Sequence, residues 1–172
     1  MSTSTTDSTL QLAQERADLL ETLQGHRAFL RITVQGLTDD QARQRTTASA
    51  LTLGGLIKHV AATEASWTGF IVSGAAGMGG DEDQADSFTM ADDESLADLL
   101  AAYDAVAHRT DELVRGLPDL DASHELPPAP WFPAGKRYSA RRVLLHIVAE
   151  TSQHAGHADI LRESLDGQKT MG

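Results

Sequence analysis

The stretch that most constrains the fold is "RRVLLHIVAETSQHAGHADILRE", residues 141–163. Val143, Ile147, Leu161 and Leu165 recur at helical spacing, so the segment reads as a packed helix. At about 100° per residue, with His146 at zero, Glu150 falls near about 40°, His154 near about 80° and His157 near about 20°. The apolar set lies between about 60° and about 100° on the same wheel. Four titratable groups therefore share the face that must meet the protein interior. An ionised carboxylate there costs several kcal/mol unless something compensates it. Two compensations are open. Glu150 can pair with a buried histidinium or with an Arg or Lys of another helix. Alternatively, Glu150 and His154, one turn apart, can converge on one metal ion, as ligands on facing helices of bundles do.

Three further helical patterns supply the neighbours. The first is expected over Ser8–Val34, with Leu12, Leu19, Leu23, Leu30 and Val34 as its stripe and Gly36 as its stop. The second opens at Thr52, a good N-cap, and runs to about Val72. The third is expected from Asp92 or Asp93 to Arg115, and the fourth from Ser139 to Leu165, ending at Gly167. Residues 73–91 combine glycines with "DEDQAD" and are expected to be mobile, whereas residues 117–138 hold all five prolines and are expected to be partly ordered. No β alternation of useful length is present. The fold class is all-α, a four-helix bundle, and the long middle connections admit topologies other than simple up-down-up-down. Residues 1–8 read as a disordered polar lead-in and 9–168 as one domain.

Composition narrows the function. A net charge of −11 argues against nucleic acid and anionic membranes as partners. The chain has no cysteine, which excludes disulfides, thiolate metal sites and a protein thiol nucleophile. No apolar run approaches a bilayer span, and the N-terminus lacks the pattern of a signal peptide, so a cytoplasmic location is expected.

The second helix, "LTLGGLIKHVAATEASW", places His59 on the flank of the stripe Leu53, Leu56, Val60, Trp67 and Ile71. Facing Glu150 and His154, it is the natural third metal ligand. His26 and His108 read as surface or rim groups and His124 as exposed. "GKRYSARR" gathers Lys136, Arg137, Arg141 and Arg142 before the fourth helix, where an anionic cofactor or substrate could dock.

"LTLGGLIKHV" and "RRVLLHIVAETSQHAGHADILRE" together resemble the paired signatures of the DinB-like superfamily, and within it an actinobacterial branch of metal-binding four-helix proteins. The resemblance covers essentially the whole chain and implies up-down-down-up connections. It also implies a metal set of His59, Glu150 and His154, in which Glu150 stands where most members place a histidine. That set is similar to the one in mycothiol-dependent maleylpyruvate isomerase. The resemblance implies a divalent metal, zinc ahead of nickel, and mycothiol or another low-molecular-weight thiol. The expected activity is thiol S-transfer or isomerisation on a small electrophile, with His146 and His157 either supporting the ligands or acting as proton-transfer partners. The rivals are a non-catalytic metal-binding or stress-response module and a metal-dependent hydrolase using bound water. A homodimer is compatible with such a bundle.

Overall fold

The computed structural model describes residues 3–79 and 88–170, and the acidic stretch "DEDQAD" lies outside them. Four long helices carry the fold: α1 (Thr3–Ile32), α3 (Leu53–Ser73), α4 (Leu96–Gly116) and α5 (Ala140–Asp166). A short helix, α2 (Asp39–Arg43), lies between α1 and α3. Two three-residue strands, β1 (Ser123–Glu125) and β2 (Arg137–Ser139), pair antiparallel, with His124 opposite Tyr138. They are too short to produce a readable alternation. Among the described residues, no helix is long and apolar enough to cross a membrane.

The helix ends follow local chemistry. Thr52 caps α3 by accepting from the Gly55 amide at 3.1 Å, and Ser139 caps α5 by accepting from Arg142 at 3.2 Å. Gly167 closes α5 at φ 81°, a left-handed position that favours glycine. The third long helix starts later than its apolar pattern suggested. Ser95 accepts from the Asp98 amide, and the Asp39 carboxylate accepts from Leu96 at 2.8 Å, so the caps set the boundary at Leu96 and not at Asp92 or Asp93. Conversely, α1 begins at Thr3, inside the stretch read as a lead-in, and no Gly or Pro precedes Gly25 to interrupt it.

Two core layers fix the topology. One joins Leu30 from the end of α1 and Val34 just beyond it, Leu53 to Ala61 from the start of α3, Leu96 and Tyr103 from the start of α4, and Ala158 and Leu161 from the end of α5. The other joins Leu20 and Leu23 from further back in α1, Trp67 to Ile71, Val114, and Ala140 to Ile147. Helices α1 and α5 thus run one way and α3 and α4 the other, which is up-down-down-up. The connection from α3 to α4 must travel back along the bundle. Its described end is packed: a Cβ on Gly55 would overlap the Phe88 carbonyl, and a Cβ on Gly54 would crowd Met90. Two adjacent glycines let this returning strap lie directly on α3. The expectation of mobility over 73–91 therefore does not extend to Phe88–Met90.

A second polar feature is fully enclosed. Arg27 of α1 donates through Nε to Glu64 of α3 at 3.1 Å, again through Nη2, and through Nη1 to Asp111 of α4 at 2.8 Å. Arg27 and Glu64 are 2% and 1% exposed, so the bundle holds one buried carboxylate that carries its own cation.

Candidate metal centre

α3 and α5 pack against each other, and the contact brings together three side chains foreseen as ligands. His59, Glu150 and His154 offer ligand atoms that all lie within 4.8 Å of one another. His154 Nε2 is 3.5 Å from Glu150 Oε2, and the His59 and His154 rings meet edge-on with centroids 4.7 Å apart. Two ligand atoms each about 2.1 Å from a tetrahedral ion lie roughly 3.4 Å apart, so the His154–Glu150 separation matches such a site.

The electrostatics agree with neutral, ligand-ready imidazoles. Burial pushes His59 down to about 4, helped by the nearby His154 and opposed by Glu150. Burial likewise lowers His154 and His146 from their ordinary values, with Glu150 opposing both shifts. At neutral pH all three rings are uncharged, so each carries one unprotonated nitrogen. Among the described residues no Arg or Lys is paired with Glu150; its ion-pair contacts are His154 and, at 3.8 Å, His146. The buried-pair compensation weighed above belongs to Glu64 instead.

The cluster is not sealed. Glu150 and His146 are partly exposed, and with His59 they line a cleft of about 540 Å³. Two of the four polar groups of α5, His146 and Glu150, therefore border an opening, whereas the sequence placed all four on an interior face. Thr63, Ser66 and Trp67 of α3 form one wall of the cleft, and Trp131 and Phe132 of the proline-rich loop form another. His146 sits edge-on to Trp67, with centroids 4.7 Å apart. His157 is not on the cleft; its Nδ1 meets His154 Nδ1 at 3.4 Å, on the side of that ring away from Glu150.

The basic quartet is elsewhere. Arg141 is engaged by Glu15 and Asp121, which raises its pKa. Arg137 donates to Ser123 across the hairpin. Arg142 lies over the Tyr138 ring at 4.7 Å, and Lys136 is exposed. None of the four lines the cleft. His124 is half-buried, edge-on to Phe70, because the hairpin folds back onto α3. His108 is exposed and His26 partly so, as expected.

Sequence reasoning missed Phe88, whose ring stacks on His59 with centroids 4.0 Å apart and planes 25° apart. The glycine pair at 54–55 was the available signal, since adjacent glycines within a helix mark a close approach of other backbone.

An up-down-down-up bundle with a His–Glu–His cluster between its second and fourth long helices defines a DinB-like protein. The family model for mycothiol-S-transferase matches residues 18–167, which includes all of α3, α4 and α5 and the second half of α1. The chain belongs to that family. No curated protein matches it.

Proposed function

We propose that the chain is a metal-dependent S-transferase joining the thiol of mycothiol to a small electrophile. His59, Glu150 and His154 hold the divalent metal, zinc in the first instance. The observation that carries this reading is the convergence of three ligand atoms within 4.8 Å beside an open cleft. Two neutral imidazoles and a carboxylate leave a coordination position for a ligand from solution, the arrangement of catalytic and not structural sites. A divalent metal bound there supplies a Lewis acid that favours the deprotonated form of a thiol or water.

The chain's own groups then divide the work. His157, against Nδ1 of His154, fixes that ring so that Nε2 faces Glu150. His146, neutral and on the cleft wall, accepts the proton that the thiol releases. The sulfur forms its new bond to the electrophilic carbon, and the leaving group departs with the electron pair of the bond that breaks. Trp67, Trp131 and Phe132 supply an apolar surface for the electrophile. The absence of cysteine accords with an external thiol.

The test combines metal analysis with thiol consumption. Purified protein with mycothiol and a monochlorobimane-type electrophile should give turnover that chelation removes and zinc restores. His59→Ala and His154→Ala should lose both metal and turnover. Unchanged metal content in both variants overturns the reading.

A further inference from the structure

We infer that Phe88 is a positioning residue for the metal centre. Its ring clamps the His59 imidazole in the orientation that meets Glu150 and His154. The inference rests on the metal-binding reading above and extends it to a residue outside the ligand set.

Three observations converge. The Phe88 ring lies nearly parallel to His59 at 4.0 Å between centroids, and it also sits 6.0 Å from His154. Phe88 is therefore against both imidazoles of the cluster, while it is not among the residues lining the cleft. One side of the cluster is closed by an apolar ring and the other opens to solution. Next, the Phe88 backbone is held in place. The Thr52 amide donates to the Phe88 carbonyl at 3.3 Å, and Gly55 approaches the same carbonyl so closely that a Cβ would overlap it. Thr52 is also the N-cap of α3, so the strap is tied to the first turn of the helix that carries His59. Finally, Met90, two residues on, is buried in the core beside Gly54. The strap is anchored at Phe88 itself and again two residues after it.

A histidine on the flank of a helix has several side-chain rotamers, and a neighbouring ring face narrows the choice. Partners that hold a ligating ring in place typically change metal affinity by about 10–100-fold when removed. Here the partner is a ring face. Flat contact restricts rotation of the imidazole about its Cβ–Cγ bond while leaving its in-plane lone pair accessible.

The test compares Phe88→Leu and Phe88→Tyr with the wild type in full-length protein. Phe88→Leu keeps an apolar side chain but removes the flat face; Phe88→Tyr keeps the face. Zinc affinity is measured by competition with a chromophoric chelator, and the thermal midpoint is measured on chelator-treated protein. The expected result is a loss of about tenfold or more in zinc affinity for Phe88→Leu, with affinity retained in Phe88→Tyr. Cobalt(II) spectra should report an altered ligand field in Phe88→Leu alone. A wild-type zinc affinity in folded Phe88→Leu overturns the inference while leaving the metal reading intact. A wild-type chain that binds no zinc overturns both. The wild type supplies a second measurement that needs no variant to fold. The His59 ring protons, assigned with His59→Ala, should show upfield ring-current shifts from Phe88, and random-coil positions for them overturn the inference.

Discussion

Helix α3 carries two polar clusters, and they solve the problem of a carboxylate inside a bundle in opposite ways. Glu64 points toward α1 and α4, where Arg27 meets it through two nitrogens and Asp111 shares the cation. About 140° away on an ideal wheel, His59 points toward α5, where Glu150, among the described residues, makes its ion-pair contacts with imidazoles that burial keeps neutral. The first cluster is complete without anything from solution. The second has donors without a cation and an opening beside it. Among buried polar groups, an internal partner marks architecture, and donors that share no internal cation mark a place for a ligand.

The largest effect expected from breaking this contrast is on the closed cluster. Arg27→Met strands Glu64 and Asp111 and should cost about 3–5 kcal/mol in urea unfolding. A change under about 1 kcal/mol would mean that the pair is not the structural element described. At the open cluster the stability change should come through the metal. Zinc at 100 times its dissociation constant should stabilise the wild type by about 2.7 kcal/mol. Glu150→Gln should abolish that gain while unfolding no more easily than the wild type in chelator. A chelated Glu150→Gln chain that is markedly weaker would place Glu150 in the structural class.

The pH response sharpens the same contrast. His59 titrates near 4 in the folded, metal-free chain and near 6.5 unfolded, so between those values the unfolded state binds more protons. Stability of chelated protein should therefore fall as the pH drops from about 6.5 toward about 4, and His59→Ala should flatten that slope. A slope unchanged in His59→Ala would show that other groups control it. Ser139→Ala removes the cap of the ligand-bearing helix and should cost about 1 kcal/mol without changing zinc affinity. The smallest effect is expected at the basic segment before α5. Lys136→Ala and Arg142→Ala should leave the KM for mycothiol unchanged, because neither residue lines the cleft. A rise in that KM would restore the segment as an anion-docking site.

Much of this was legible in the sequence because periodicity reports which face is buried. The stripe Leu53, Leu56, Val60, Trp67 and Ile71 is buried throughout, and the i, i+4 spacing of Glu150 and His154 placed two donors one turn apart. Caps were readable where a single hydroxyl dominates, as at Thr52 and Ser139. They were not where Ser95 and Asp39 act together from separate segments. The degree of enclosure was not legible either, because a helical wheel gives direction and not depth. Glu150 shares its cleft with the proline loop, whose approach to α5 depends on tertiary packing. Phe88 was invisible for a related reason: it meets His59 across a connection, and only Gly54 and Gly55 betray the contact.

The chain contains two tryptophans, Trp67 and Trp131, and both line the cleft. One is packed against His146 and Tyr138, and the other is 76% exposed. In most proteins ultraviolet emission averages over core and surface. Here both indoles border the same opening, so quenching, colour shift and energy transfer from native protein become optical measurements of that opening. A molecule that enters the cleft should announce itself without a label.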